Sequence, residues 1–574
     1  MNIQSPQLCD NLKEPAYAKY NGIAGAESSM KQTEKLLQGL TYRCVRGKLP
    51  REVTQVAYDS RNVEPGGIFV CIRGSRQDGH QFIWESVRRG ASVILTEAAT
   101  DFKQESYTVE SGERKTVRRK ECVSCLDENL REIPDMQEVC VLETPDTRIA
   151  LAAISRQWFD NPQKELCILG VTGTKGKTTT VWMIWKMLVA AGYEAGLIGT
   201  IEVCYGSWQQ ESEYTTPESY ELYEILRKMA DGGCKYVVME VSSQALKLHR
   251  VEGIVFDTAV FTNLRADHIG AGEHADFAEY MDCKRQLFRR CRCGVFNQDD
   301  DYWQEMWRES GCQAVTYGFS GQSDYCALAP QLLRGSSRLG VRYELAVHDA
   351  GQAGMTKGTS FTESGEGVAE KKPEEQKKRI VVNAPGRFSV YNSLAAIAVA
   401  EHYQVPWNVM EQVLHTLQVP GRIEMLSVSP RFIVLVDYAH NAMALEALLT
   451  TLQDYHPGRI ICIFGCGGNR SAERRFQMGE VAGRLADLVV VTTDNPRDED
   501  PEKIADEICK GLDATKGKYG RIPDRGDAIA YGISHAKPGD IVVIAGKGHE
   551  KYQEICGQKF PMDDRQLAMK CKVW

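Results

Sequence analysis

Ten residues, Gly170 to Thr179 (GVTGTKGKTT), carry the clearest chemistry in the chain. The apolar Leu166-Cys167-Ile168-Leu169 leads into them as a buried strand would, and Val181, Ile184 and Leu188 follow at helical spacing. Strand, glycine-rich turn and helix make a phosphate cradle. Gly173 and Gly176 leave room for backbone N–H groups to face phosphate oxygens along the stretch Thr174, Lys175, Gly176. Lys177 would reach the terminal phosphates, the Thr178 hydroxyl would ligate magnesium, and Thr179 continues the helix start. Val171 stands where the common G-x-x-x-x-G-K-[ST] pattern has its first glycine, so this is a variant of that pattern.

Further chemistry falls at the ends of apolar runs. Tyr236-Val237-Val238-Met239-Glu240 is a strand closed by an acid, and a carboxylate so placed beside a phosphate cradle can hold magnesium directly or through water. Asn263, Asp267 and His268 follow the run Thr258 to Phe261, and Lys284 lies in the helical segment Phe277 to Phe288. Spacing alone assigns neither His268 nor Lys284 a role. Towards the C-terminus four polar clusters each follow a predicted strand: Asp437 to Asn441, Gly465 to Arg470, Asp494 to Arg497 and Gly546 to Glu550. Open parallel sheets bind ligands beyond the carboxyl ends of their strands, so one shared site is expected there. Arg470 and Arg497 fit a carboxylate and Glu550 an amine, which together sketch a pocket for a zwitterion.

The elements that must hold these residues are those of an α/β protein. A chain of 574 residues exceeds one core, and two to four domains are expected. The boundaries predicted here are an N-terminal extension over 1–41, a small α/β domain over 42–160 with a charged insertion near 101–137, a central domain over 161–419 interrupted near 351–378, and a C-terminal domain over 420–574. Strands are expected at Val53 to Tyr58, Ile68 to Ile72 and Ser92 to Leu95, with helices at Gly79 to Arg89 and Thr147 to Phe159. The last domain alternates strand and helix from Phe432 to Ile544, as a mostly parallel sheet requires.

Charge argues against a nucleic-acid partner, since 69 basic against 77 acidic residues give a net charge of -8 without a basic stripe. No run approaches the roughly 20 apolar residues of a membrane span, no signal-peptide core opens the chain, and a cytoplasmic location is expected. Nineteen cysteines, an odd number scattered through predicted strands and helices, fit free thiols in a reducing compartment. Cys122-x-x-Cys125 and Cys291-x-Cys293 lack a second ligand pair at zinc spacing.

Across residues 42 to 560 the chain resembles the Mur ligase family. The resemblance lies in the order and spacing of DSRNVEPGGIFVCIRGSRQDGHQFI from Asp59, GVTGTKGKTT, TTPES from Thr215, MEVSSQAL from Met239, FTNL and DH from Phe261, Tyr280 to Lys284, GRFSVYNSLAA from Gly386, VPGRIEML from Val419, DYAHN, GCGGNR, DNPR and GKGHE. It implies three domains: a small N-terminal α/β domain for the UDP end of the substrate, a central P-loop NTPase-like domain for ATP, and a C-terminal Rossmann-like domain that closes over it with the incoming amino acid. Lys175 stands where an asparagine is usual, Gln244 replaces a frequent histidine, and DHIGAGEH replaces a commoner DHLDxH.

The resemblance also assigns roles. Ser60 matches a uridine-contacting serine, and Thr215, Thr216, Ser242 and Arg250 match contacts to the muramoyl-peptide part. Thr178 and Glu240 match ligands of one magnesium ion and His268 a ligand of a second, with Lys284 the lysine carried as a carbamate. Asn392, Arg422 and Asp437 match nucleotide-side positions, and Arg470, Asp494, Asn495, Arg497, Gly546 and Glu550 the amino-acid pocket. The reaction implied is ATP-dependent amide formation through an acyl phosphate on UDP-MurNAc-L-Ala-D-Glu, by a monomer, with Lys177, Glu240, His268 and Lys284 as the catalytic set. The DNPR form resembles the version that adds meso-diaminopimelate, whose second carboxylate wants a guanidinium. Lysine or another diamino acid as substrate, a folylpolyglutamate synthase-like ligase and a non-catalytic nucleotide-binding relative are the alternatives.

Overall fold

The computed structural model describes residues 30–74, 77–97, 139–267, 269–270, 273–348 and 377–572. The predicted extension over 1–41 lies largely outside the described residues, as do nearly all of the insertions near 101–137 and 351–378 and the Cys122/Cys125 pair. The described residues fall into two compact units, 30–425 with 451–457 and 426–450 with 458–572.

The larger unit contains two main sheets and a two-stranded antiparallel pair, Lys31–Gln32 with Glu52–Val53. The first has the order Arg43–Arg46, Cys140–Thr144, Val93–Glu97, Ile68–Val70, Val56–Ala57, parallel except for its first pair. Apolar residues cover both of its faces, with Ala150, Leu151 and Ile154 of the helix Thr147–Trp158 packed on one of them. The predicted strand over Val53 to Tyr58 is instead two short pieces, Glu52–Val53 and Val56–Ala57, on different sheets. The predicted helix from Gly79 opens as a 3-10 turn, Gly79–Phe82, before Ile83–Arg88.

The second sheet has eleven strands among the described residues. Its parallel heart runs Ala195–Ile198, Tyr236–Glu240, Cys167–Thr172, Phe256–Phe261, Cys291–Asn297, Gln313–Gly318. Helices cover both faces, with Lys177–Ala190 and Arg387–His402 on one and Ser219–Asp231 and Phe277–Phe288 on the other. The cradle strand Cys167–Thr172 pairs with Tyr236–Glu240 on one side and Phe256–Phe261 on the other. Pairing puts the carboxyl ends of all three side by side, so Glu240 and the segment after Phe261 flank the glycine turn.

The smaller unit is built on the parallel order Ile433–Asp437, Ile541–Ala545, Ile460–Phe464, Leu488–Val491, Tyr519–Arg521. Tyr519–Arg521, the helix Arg525–Ser534 and the hairpin Tyr552–Ile555 with Gln558–Pro561 are elements that the sequence pattern did not mark. All cysteines among the described residues are free thiols, and no helix among them is long and apolar enough to cross a membrane.

Candidate functional site

The glycine turn has no room for a side chain. A Cβ on Gly173, at φ +145°, would lie 1.9 Å from Thr262 Oγ1, and one on Gly176, at φ +88°, would lie 2.6 Å from Asn392 Oδ1. Both glycines are therefore fixed by geometry. The turn differs from the sequence expectation in its amides. Thr174 N donates to the Asn263 carbonyl (2.9 Å) and Lys175 N to Asn263 Oδ1 (2.9 Å), so two loop N–H groups already have partners in the chain. Phosphate-facing donors then fall to the first turn of Lys177–Ala190, whose N–H groups have no partner within the helix.

Behind the turn, Thr174 Oγ1 meets Tyr280 OH (3.0 Å), and Lys175 Nζ pairs with Asp267 (3.2 Å). Asn263 and Asp267 thus brace the loop. Thr178 Oγ1 donates to Glu240 Oε2 (3.0 Å), while Glu240 Oε1 accepts Thr200 N (2.8 Å). Glu240 is buried, with 1% of its surface exposed. Arg422 Nη2 reaches Thr178 Oγ1 at 3.4 Å, and Asn392 Oδ1 accepts from Thr180 Oγ1 at 3.3 Å, so both residues, expected on the nucleotide side, contact the start of the cradle helix.

Two lysines converge on one carbonyl. Lys177 Nζ donates to Gly173 O (2.8 Å) and Thr174 O (3.2 Å), and Lys284 Nζ donates to Gly173 O (3.0 Å) from the opposite helix. Burial pulls the Lys177 ammonium down to about 8, partly opposed by Glu240. Burial, and then the neighbouring Lys177, hold Lys284 well below the ordinary lysine range. A neutral amine at Lys284 is the form that can take up carbon dioxide, and the resulting anion would replace a like-charge contact with an attractive one. The residues fit a carbamate. Thr178 and Glu240 likewise fit a hard divalent cation completed by phosphate oxygens and water, although no group of three His, Cys, Asp or Glu side chains gathers at a metal position among the described residues. His268, the expected ligand of a second ion, lies outside the described residues.

In the same unit Thr216 Oγ1 donates to the Glu240 carbonyl (2.8 Å) and accepts Ser242 N (3.1 Å), and Arg250 Nη1 donates to Thr216 O (3.0 Å). Thr215 Oγ1 meets Thr200 Oγ1 at 3.0 Å. The structure brings Thr215, Thr216, Ser242 and Arg250 together beside Glu240. Ser242 Oγ also caps the helix Ser243–Lys247 through Ala245 N (3.1 Å), and Glu218 holds Arg250 from the side (3.2 Å). Ser60, buried in a short turn capped by Asp59, donates to Glu85 (3.1 Å).

The smaller unit gathers Asp494, Asn495, Arg497, Gly546, Glu550 and Arg470 around one pocket. Asp437 lies in this unit at the end of its strand, where its carboxylate accepts Ala439 N (2.8 Å) and its carbonyl accepts Gly546 N (3.1 Å). Gly546, at φ +113°, admits Asp494, whose Oδ2 would be 2.6 Å from a Cβ there. Lys547, within the expected cluster Gly546 to Glu550 but given no role from sequence, is fully buried and bridges Asn495 Oδ1 (2.8 Å) and Glu550 Oε2 (3.1 Å). Asn495 Nδ2 also donates to Glu550 Oε2 (2.8 Å). Asn495 is thus largely a brace, and both of these contacts fall on one Glu550 oxygen, Oε2. Burial raises the Glu550 carboxyl, with Lys547 pulling the other way.

Below the pocket, Arg525 and Asp564 form a fully buried two-point pair at 2.7 Å for each bond. Arg525 also donates to Ala545 O (3.1 Å) and Thr493 O (3.4 Å), the carbonyls just ahead of Gly546 and Asp494. An isolated arginine followed 39 positions later by an aspartate gives no sequence signal, so reasoning from pattern missed it.

Glycine turn, helix start and buried acid define a nucleotide-phosphate-binding α/β protein. Family models match residues 52–157 (Mur ligase family, catalytic domain), 171–400 (Mur ligase middle domain) and 421–548 (Mur ligase, glutamate ligase domain). A UDP-N-acetylmuramoyl-L-alanyl-D-glutamate--2,6-diaminopimelate ligase of Clostridium perfringens (strain 13 / Type A) is 33% identical over 542 residues, covering 93% of this chain and 98% of that protein. One of Syntrophomonas wolfei is 35% identical over 542 residues, covering 93% and 97%. A solved structure described by the same enzyme name superposes with a TM-score of 0.59 at 25% identity, over 95% of this chain and 99% of that one. A UDP-N-acetylmuramoylalanyl-D-glutamyl-2,6-diaminopimelate--D-alanyl-D-alanyl ligase of Acinetobacter baumannii shares the fold at 17% identity and a TM-score of 0.53, over 91% and 96%. The chain belongs to the Mur ligase family.

Proposed function

We propose that this chain is an ATP-dependent amide ligase that adds meso-2,6-diaminopimelate to the D-glutamate side chain of UDP-N-acetylmuramoyl-L-alanyl-D-glutamate, a step of peptidoglycan-precursor synthesis. The observation that carries it is the meeting of Lys177, Lys284 and the Thr178–Glu240 pair at one glycine turn. The relatives' names over nearly the whole chain support the substrates. In this reading residues 42–160 hold the UDP end, 161–419 hold ATP and 420–574 hold the amino acid.

The substrate carboxylate attacks the γ-phosphate, ADP leaves, and the amine of the amino acid then displaces phosphate from the acyl phosphate. A carboxylate oxygen is a poor leaving group, and phosphorylation removes that obstacle. Lys177 and the first-turn amides hold the phosphates in line and disperse charge that grows on the transferring group. Thr178 and Glu240, with His268 and a carbamylated Lys284, would hold magnesium, which supplies charge neutralisation between the phosphate oxygens. Thr215, Thr216 and Arg250 orient the muramoyl peptide. Glu550 takes an ammonium of the diamino acid, and Arg470 and Arg497 take its carboxylates.

Purified protein is given ATP, magnesium, the UDP-dipeptide and, in turn, diaminopimelate, lysine or ornithine, and phosphate release is followed. Turnover with diaminopimelate is expected. Turnover with lysine alone would refute the amino-acid assignment, and none with any amine would favour a non-catalytic relative.

A further inference from the structure

The hairpin Tyr552–Ile555 with Gln558–Pro561, which no sequence motif marks, grips the loop Asp494 to Arg497 at three of its four residues. Gln553 Nε2 donates to the Asp494 carbonyl (2.7 Å), and Glu554 N donates to Asn495 Oδ1 (3.0 Å). Arg497 N donates to Glu554 O (3.0 Å), and Cys556 N to Arg497 O (2.9 Å). Arg497 sits at φ +52°, a conformation that residues with side chains avoid, and these two backbone bonds hold it there.

Its guanidinium is fixed as well. Nε donates to Glu554 Oε2 (3.0 Å) and Nη1 to Gly468 O (2.7 Å). Of the five N–H donors of an arginine, these contacts take one on Nε and one on Nη1. The Nη2 amino group and the other Nη1 hydrogen remain, and together they form an edge that suits a carboxylate in two-point fashion. Arg497 lines the pocket. The pair with Glu554 is about a quarter exposed on each side, so its attraction is weak in water and its effect is to set direction.

We infer that Glu554 is a positioning residue for amino-acid choice: it aims Arg497 at the second carboxylate of the incoming diamino acid. The inference rests on the ligase reading given above. Glu554 itself meets no reacting atom.

Steady-state kinetics of Glu554→Ala and Glu554→Gln, with meso-diaminopimelate and with lysine, test this. Glu554→Ala is expected to raise the KM for diaminopimelate about tenfold while kcat stays within about twofold, because a binding contact is lost and the chemistry is untouched. Glu554→Gln is expected to fall between, since its amide oxygen still accepts from Nε. The KM for lysine, which has no second carboxylate, should not follow. Equal losses with both amino acids would mark the hairpin as mere scaffolding and overturn the inference. An unmoved diaminopimelate KM, in a protein whose wild type uses diaminopimelate, would overturn the inference alone. A wild type that uses no diamino acid would overturn the ligase reading and this with it. Circular dichroism melts accompany the kinetics; if Glu554→Ala melts early, Glu554→Gln decides, a raised diaminopimelate KM supporting and an unchanged one overturning.

Discussion

Lys284 and Lys177 share one carbonyl as acceptor, and two ammonium groups there repel each other in a place with little water. Removing Lys284 therefore does more than delete a charge. Lys284→Ala is expected to lower phosphate release by about a hundredfold or more, with partial recovery when a short carboxylate is added in solution to stand in for the carbamate. Full activity of the variant would exclude that role. A second residue-scale effect lies away from the cradle. Tyr58 OH donates to Glu221 Oε1 (2.6 Å), and burial raises the Glu221 carboxyl to about 7. The folded chain thus binds a proton there more tightly than the unfolded one, so this group's contribution to stability falls as pH rises from about 4.5 through 7. Glu221→Gln, which keeps the acceptor and drops the charge, should stabilise the protein at pH 8 by up to ~3 kcal/mol and hardly at all near pH 4.5. Denaturant unfolding of both proteins at the two pH values reads the difference, and equal curves at pH 8 would count against it.

At the scale of elements, the cradle depends on how closely the glycine turn approaches the segment after Phe261. Gly173→Ala would drive a methyl group into Thr262 Oγ1, and the turn must move. ATP binding, followed with a fluorescent analogue, is expected to weaken by at least about tenfold while far-ultraviolet circular dichroism is kept. Arg525→Ala would leave the Asp564 carboxylate buried without its counter-charge, at a cost of about 3–5 kcal/mol to the C-terminal unit. Unfolding midpoints check this, and a midpoint near the wild type would mean that water reaches the aspartate. How legible these elements were depended on their period. Tyr236–Glu240 and Phe277–Phe288 could be bounded from sequence because unbroken apolar runs or helical spacing meet a clear stop. Tyr519–Arg521 and the hairpin after Glu550 could not, being short, polar and half-exposed or exposed, with nothing in their residues to separate strand from loop. The same limit applies to the site. Lys177, Glu240, Asn263 and Arg497 announce themselves by motif, and Lys547 lies inside a marked cluster, although the partners of Asn263 and Lys547, 88 and 52 residues away, do not show in the sequence; Glu554 has no motif and matters through a partner 57 residues away.

At the scale of the whole molecule, each of the two compact units has a core of its own. Scanning calorimetry is expected to resolve two transitions. ATP with magnesium at a hundred times its dissociation constant adds about 2.7 kcal/mol to whichever unit binds it, so one transition should climb and the other stay. Both moving together would show that the units melt as one. The buried Arg525–Asp564 pair has a consequence for how the polypeptide is made. Translation delivers Asp494, Gly546 and the guanidinium beneath them before it delivers Asp564, so a nascent chain holds that cation without its two-point partner. On the ligase reading proposed above, the pocket for the amino acid is the part expected to set last, once residue 564 is in place, and a chain ended just short of it is expected to keep nucleotide binding and to lose binding of the amine.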